Sequence, residues 1–156
     1  MFSHIVIGSN DLARSKAFYD ALFAATGGQP AAGDATKGRI VYAHRGGRLV
    51  ITKPIDGKAA TGANGGTIGF TMESPQEAKA WHEAGVANGG TSVEDPPGER
   101  SGAMGRMYLA YLRDPDGNKL CALYKFVDLR TRAEAPTPPG QGPDPGPRVQ
   151  AARPKL

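Results

Sequence analysis

A degenerate internal repeat constrains the fold of this chain more than any other feature of its sequence. The short apolar segment 2–7 recurs 63 positions later as 65–70, and each copy is followed by an amphipathic helical pattern, a loop-rich stretch and a hairpin. This order of elements predicts two βαβββ modules, at about 1–56 and 64–126. We therefore expect one α+β domain, residues 1–126, in which the two modules lie side by side and curl their sheets around a shared cavity.

Apolar faces mark both predicted helices. The first helix carries Leu12, Phe18, Tyr19, Leu22 and Phe23. The second begins with a capping box, in which Ser74 is the N-cap and Glu77 the third helical residue. Its apolar face carries Ala78, Trp81 and Val86. We expect Trp81 in the core, and we expect His44 and His82 on the surface of a hairpin and of the second helix.

Residues 127–156 differ in composition from the rest of the chain. Seven of the thirteen prolines lie after residue 135, and no aromatic residue follows Phe126. A segment of this kind buries too little apolar area to offset the entropy lost on ordering. The composition predicts an extended or disordered tail, and a proline-rich ligand for a partner protein is the alternative.

Composition argues against several classes of function. The formal net charge of +4 is divided evenly between the tail and the other residues, and no lysine and arginine stripe interleaved with aromatic residues is present, so we expect no nucleic-acid binding. No apolar run approaches the roughly 18 residues that cross a bilayer, so we expect no membrane partner. Cys121 is the sole cysteine, which excludes an internal disulfide framework and a multi-cysteine zinc site. The start lacks the features of a secretory signal, and we expect a cytoplasmic protein.

Strand alternation divides each predicted sheet into a helix-facing side and a concave side. The large apolar side chains are expected under the helices, and they are Ile5, Ile7, Leu49, Ile51, Ile68, Phe70, Met72, Leu120 and Ala122. The smaller or polar set is expected on the concave side, and it comprises His4, Val6, Val50, Thr52, Thr67, Gly69, Thr71, Cys121 and Leu123. A large, partly polar concave surface is the default position for a ligand site.

Four segments carry a resemblance to a known family. They are residues 2–7, the pattern Asn10-Asp-Leu-x-x-Ser-x-x-Phe-Tyr19, residues 67–70, and residues 111–120, which hold an Arg-Asp-Pro-Asp-Gly-Asn turn between two apolar strands. In these segments the chain resembles the vicinal oxygen chelate superfamily, which includes glyoxalase I, bleomycin-resistance proteins and extradiol dioxygenases. The resemblance covers residues 2–126. It implies paired βαβββ modules in an open, cupped barrel, and it implies a homodimer.

The resemblance also implies where a divalent metal would bind. The family's ligand positions, usually His, Gln or Glu, correspond here to His4, Val50, Thr67 and Cys121. Only His4 is a typical ligand, whereas a catalytic metal site usually has three protein ligands. We therefore expect no bound metal and no other cofactor. A divalent metal held through a divergent ligand set is the alternative.

Six residues are the candidates for binding a small molecule. His4, Thr67 and Cys121 share the predicted concave surface, and His4 is also the candidate general base or hydrogen-bond donor. Relatives place the loop 96–106 at the cavity mouth, where arginines can bind a carboxylate or phosphate, and a tyrosine can add ring surface and a hydroxyl. These candidates are Arg100, Arg106 and Tyr108. Simpler alternatives remain open. In these, His4 is a polar residue whose hydrogen bonds are all made, Cys121 is an inert residue that lines the cavity, and the loop 96–106 is solvated and mobile.

Three hypotheses for function follow from these residues. The first is a glyoxalase- or bleomycin-resistance-like protein that binds a small organic ligand in its concave cavity, without a complete metal site. The second is a metal-dependent lyase, isomerase or dioxygenase of the same superfamily. The third is a dimeric structural module with a vestigial pocket. The sequence leaves open whether the protein is an enzyme.

Overall fold

The computed structural model describes residues 2–32 and 37–127, so the predicted tail lies almost entirely outside the described residues. The first module comprises β1 (Ile5–Gly8), α1 (Leu12–Ala24), β2 (Arg39–His44) and β3 (Gly47–Thr52). The second comprises β4 (Ile68–Thr71), α2 (Pro75–Ala87), β5 (Thr91–Ser92), β6 (Gly98–Gly102), β7 (Gly105–Arg113) and β8 (Lys119–Lys125).

The strands form two sheets, one in each module. The first has the order β1-β3-β2, and the second has the order β4-β8-β7-β5 with β6 also paired to β7. In both, the strand before the helix pairs in parallel with the last strand of its own module. The predicted α+β fold with paired βαβββ modules is therefore confirmed. Among the described residues the two sheets share no hydrogen-bonded strand pair, and the barrel is open.

The two helices meet in one hydrophobic core that draws residues from both modules. Gly85 of α2 permits the close contact, since a Cβ there would lie 2.5 Å from Leu112 Cδ2 and 3.0 Å from Leu22 Cδ2. Each sheet buries its helix-facing side in this core, as the alternation predicts. Ile51 and Leu120 are almost fully buried there, while the opposite side of the first sheet is open to solvent.

The buried face of α2 differs from the predicted one. Its buried residues are Ala78, Trp81, His82 and Gly85, at the i, i+3, i+4 and i+7 positions of one helical stripe. Val86 falls outside this stripe and is 44% exposed, so the prediction that it lies on the packed face of the helix was wrong. His82 was wrongly assigned to the surface. Its Nε2 lies 2.9 Å from the Ser92 hydroxyl, and burial lowers the pKa of the imidazole.

The capping box of α2 forms only in part. The Ser74 hydroxyl accepts a hydrogen bond from the Glu77 backbone N–H at 3.0 Å, as a serine N-cap does. The Glu77 carboxylate accepts instead from the Glu73 backbone N–H at 2.6 Å, and it also binds the Arg45 guanidinium. The ion pair therefore joins the β2–β3 turn of the first module to the first turn of α2.

The segment 96–106 is a hairpin for most of its length, not the mobile loop considered above. Residues 98–102 of β6 pair with β7 from Leu109 back to Gly105, and Gly105 adopts a φ of 92° at the turn. An ion pair between Arg106 and Glu99 crosses the hairpin. This strand is polar and exposed, so it lacks the apolar alternation by which a buried strand is recognised.

The turn between β7 and β8 binds the start of α1. The Asp116 carboxylate accepts from the Asn10 backbone N–H and from the Arg14 guanidinium, each at 2.9 Å. In the same turn, Asp114 accepts a 2.8 Å hydrogen bond from the Tyr19 hydroxyl. The Arg-Asp-Pro-Asp-Gly-Asn motif thus joins the two modules, which gives its aspartates a structural role.

Candidate functional site

The concave side of each sheet is defined by strand register. Val6, Val50 and Val41 are neighbours across the first sheet, and Gly69, Cys121 and Tyr111 are neighbours across the second. Side chains paired in register point to the same side of a sheet. In the first set, the Val6 side chain on β1 is 51% exposed to solvent. In the second set, Cys121 is only 5% exposed.

The four positions implied by the family resemblance lie on these concave sides, two on each sheet. His4 precedes β1 and Thr67 precedes β4, both are exposed, and alternation places them with Val6 and Gly69. The His4 Nδ1 atom lies 2.8 Å from the Ser3 hydroxyl. Val50 occupies the middle of β3, where it offers no donor atom.

The surroundings of Cys121 favour the neutral form of its thiol. Burial raises its pKa, and this effect outweighs the hydrogen bond with Tyr111 that acts in the opposite direction. Burial and the neighbouring Cys121 also raise the pKa of Tyr111 to about 12. The Lys119 ammonium lies 5.0 Å from the Tyr111 ring centroid, and it forms an ion pair with Glu94. The cluster therefore presents neutral hydroxyl and thiol groups at neutral pH.

The structure does not bring Arg106 and Tyr108 to the concave side. Both lie at even-numbered positions of β7 and so share the side of buried Ala110 and Leu112, which is the side on which the helices pack. Tyr108 packs against the core, and the Arg106 guanidinium lies 4.0 Å from the centroid of the Phe126 ring. Both were predicted to contribute to the cavity at its mouth, and β7, which extends without a break from Gly105, places them on the helix-facing side instead.

Arg100 points to the opposite side of the sheet from Arg106. It pairs in register with Met107, whose side chain shares the side of Leu109 and Tyr111. Its guanidinium donates a 2.8 Å hydrogen bond to the Pro96 carbonyl. Arg100 is therefore the one arginine of the two candidates that lies on the concave side, near its outer edge.

The donor atoms at the four family positions do not fit a divalent metal. They amount to one imidazole, one threonine hydroxyl and one protonated, buried thiol, with a valine at the fourth position. Within residues 2–32 and 37–127, no group of three or more His, Cys, Asp and Glu side chains is arranged to hold a metal ion. Metal-assisted chemistry through these positions therefore has no structural support here.

A cavity of about 220 Å³ lies elsewhere, between the two modules on their helix-facing sides. Most of its walls come from apolar side chains, which are Ile5, Phe23, Tyr42, Leu49, Ile68, Phe70, Met72 and Trp81. Thr26, His44, Arg45 and Arg48 add polar groups. Sequence patterns missed this cavity, because alternation identifies core residues but carries no signal for a gap between them.

His44 belongs to this cavity and not to the surface predicted for it. Its Nε2 atom is buried and has no hydrogen-bond partner in the part of the chain that the structure describes. The ring packs edge-on to Phe23, with 6.0 Å between the centroids. Alternation along β2 places His44 with buried Ile40 and Tyr42, a relation that could have indicated its orientation.

Comparison with known proteins identifies the family. The family model of the Glyoxalase/Bleomycin resistance protein/Dioxygenase superfamily matches residues 1–122, so the chain belongs to this superfamily. No curated protein matches the chain. None of the helices in the described residues is long and apolar enough to cross a membrane.

Solved structures of the same superfamily share the fold. A glyoxalase/bleomycin resistance protein from Albidiferax ferrireducens is 54% identical, with a TM-score of 0.77 over 80% of this chain and 99% of that one. A glyoxalase-related enzyme from Fulvimarina pelagi is 22% identical, with a TM-score of 0.62 over 80% and 88% of the two chains. A glyoxalase/bleomycin resistance protein/dioxygenase family enzyme from Burkholderia phytofirmans is 14% identical, with a TM-score of 0.60 over 80% and 98%. The last two support the fold alone.

Proposed function

We propose that the protein binds a small organic ligand on its concave surface, around His4, Thr67 and Cys121, without a bound metal. The contrast between the two sides of the sheets supports this proposal. Apart from the cavity between the modules, the helix-facing side is buried in the core, whereas Val6, Thr67 and Thr71 on the concave side remain exposed. His4 supplies a hydrogen-bond donor or acceptor next to the first sheet, and Tyr111 and Cys121 supply neutral polar atoms on the second sheet.

A ligand screen on two proteins tests the proposal. Thermal melts of the wild type with a panel of small organic acids, alcohols and thiols should reveal compounds that raise the melting temperature, because a ligand that binds only the folded state stabilises it. The same compounds should fail to stabilise Thr67→Phe, in which a ring occupies the concave surface. Compounds that stabilise both proteins equally would bind elsewhere and would contradict the proposal.

The stability of Thr67→Phe itself is a further prediction. We expect its free energy of unfolding to stay within about 0.5 kcal/mol of the wild type, because Thr67 is exposed. Ile68→Ala, one residue away and packed against the core, should lose about 2 kcal/mol. Urea melts of the two variants measure the difference. A larger loss in Thr67→Phe than in Ile68→Ala would place Thr67 in packed interior.

The metal content of the purified protein is expected to be well below one equivalent. The reason is that His4 is the only usual ligand at the four family positions. Elemental analysis for zinc, nickel, manganese and iron, on protein prepared without chelator, gives the measurement. Close to one equivalent of metal in the wild type, absent from His4→Ala, would favour a metal-dependent lyase, isomerase or dioxygenase instead.

We also propose that two copies of the chain form a dimer through the edges of their sheets at β1 and β4. β1 and β4 each lie at a sheet edge, where one side of the strand is unpaired among the described residues, and Val6 of β1 and the preceding Phe2 are exposed. Light scattering should give about twice the chain mass of 16.3 kDa. Val6→Glu should shift the mass toward one copy, while Val86→Glu on α2 should not. A wild-type protein that is monomeric at all concentrations would contradict the pairing.

A further inference from the structure

We infer that the cavity between the modules, on their helix-facing sides, is a second binding site, which takes a single-ring aromatic carboxylate. This site is separate from the concave surface, and the inference does not depend on the function proposed for that surface. Three observations carry it, namely the volume of the cavity, the aromatic side chains in its wall and the polar groups at one end.

The volume fits one ring with a short substituent. At about 220 Å³, the cavity lies above the roughly 150 Å³ of an apolar cavity known to bind benzene. It lies below the range of about 300–1,000 Å³ that is typical of sites for drug-sized ligands. A benzene ring that carries one small polar group is therefore the size of compound that the walls can enclose.

The walls offer ring surfaces in several orientations. Phe23 and Tyr42 stack with 4.5 Å between their centroids, and Phe23 meets Phe70 edge-on at 6.2 Å. Phe70 in turn lies 5.7 Å from Trp81. Aromatic rings prefer offset or edge-on contacts at such distances, so a ligand ring can extend this cluster.

The polar end of the cavity favours a carboxylate. His44 Nε2 is buried without a partner among the described residues, and a buried polar atom without a hydrogen bond is unusual in a folded protein. A carboxylate oxygen can accept from an Nε2–H at this position. A depression at the β2–β3 turn shares His44, Arg45, Gly47 and Arg48 with the cavity.

Arg48 is the cation available to such a head group. It is exposed and is absent from the ion pairs formed among the described residues. Alternation along β3 directs it away from Leu49 and Ile51, so it lies at the rim of the cavity and not inside it. Arg45, the other arginine of the lining, is already neutralised by Glu77 at 2.6 Å and Glu73 at 3.3 Å. Arg48 can therefore attract an anion to the cavity mouth, where hydrogen bonds between charged groups are stronger than neutral ones.

Fluorescence of Trp81 provides a direct test, because Trp81 is the sole tryptophan of the chain and lines the cavity. We expect benzoate to change the emission saturably, with a Kd of about 1 mM. Ile5→Phe, which places a ring in the cavity, should abolish the response. Val6→Phe, the next residue but on the concave side, should keep it. Melting curves first establish that both variants are folded.

A second pair of variants tests the charged end and does not depend on the folding of Ile5→Phe. Arg48→Gln should weaken benzoate binding by about tenfold. Arg39→Gln, at the far end of the same hairpin and not among the lining residues, should change it by less than about twofold. Benzyl alcohol, which lacks the negative charge, should bind the wild type about tenfold more weakly than benzoate.

Three results would overturn the inference. The first is the absence of a saturable response to benzoate up to about 20 mM, far above the expected Kd. The second is a response lost in Val6→Phe but kept in folded Ile5→Phe, which would place benzoate on the concave surface. The third is equal binding of benzoate and benzyl alcohol with no effect of Arg48→Gln, which would remove the carboxylate from the assignment.

Discussion

Trp81→Ala is expected to lower the free energy of unfolding by about 3–5 kcal/mol. The indole is only 2% exposed and belongs to the core that the two modules share, where it contacts Phe70. Removal of a large buried ring costs the lost transfer free energy and adds a cavity that the backbone fills only in part. Urea-induced unfolding followed by circular dichroism gives the value, since the variant has no tryptophan left as a fluorescent probe.

Val86→Ala is the matched control for that experiment. Val86 lies on the same helix, five residues further on, but it is 44% exposed. We expect its replacement to change the free energy of unfolding by about 0.5 kcal/mol or less. Comparable losses in the two variants would mean that α2 is rotated relative to the orientation described here.

Asp116→Ala is expected to lower the free energy of unfolding by about 2–4 kcal/mol. Its side chain is only 1% exposed, and its carboxylate accepts hydrogen bonds from Asn10, Arg14 and Ser15. Without the carboxylate, the β7–β8 turn loses its connection to the start of α1, and the buried Ser15 hydroxyl loses one acceptor. Asp56→Ala serves as the control, since Asp56 is exposed in the segment between the modules and should cost about 0.5 kcal/mol or less.

The same carboxylate gives an expected dependence on pH. Burial raises the pKa of Asp116, but hydrogen bonds from Asn10, Ser9 and Ser15 outweigh burial and hold the pKa below the usual 3.8. Its contribution is therefore complete above the unfolded value and is lost as the pH falls through the lower folded value. Urea melts between about pH 6 and about pH 2 should show a smaller decline in Asp116→Asn than in the wild type. Equal declines would contradict the low folded pKa.

Local signals were sufficient to predict the architecture. The serine cap and proline at the start of α2, the Asp-Pro-Asp-Gly turn and the strand alternation each depend on residues close together in the sequence. Alternation correctly placed Ile51 and Leu120 in the core and left Val6 exposed.

The errors arose where residue type concealed the geometry. His82 and Gly85 complete the buried stripe of α2, although histidine and glycine do not mark a helix core in a sequence. β6 consists of polar residues, so nothing in its composition distinguishes it from a loop. Because β6 pairs with it, β7 begins at Gly105, and Arg106 and Tyr108 lie on its helix-facing side and not at the cavity mouth where they had been expected.

The contact between Asp116 and the start of α1 has a consequence for folding during synthesis. It joins residues 106 positions apart, so the first helix cannot make these bonds until the last hairpin has been translated. Contacts of such long range slow folding, because the intervening loop must close first. In the meantime the core that Phe18 and Leu22 enter lacks Leu112 of β7 and Leu120 of β8, and incompletely covered apolar surface of this kind promotes aggregation. We therefore expect ribosome-bound chains that stop before the β7–β8 turn to be bound by chaperones, and full-length chains to be released from them.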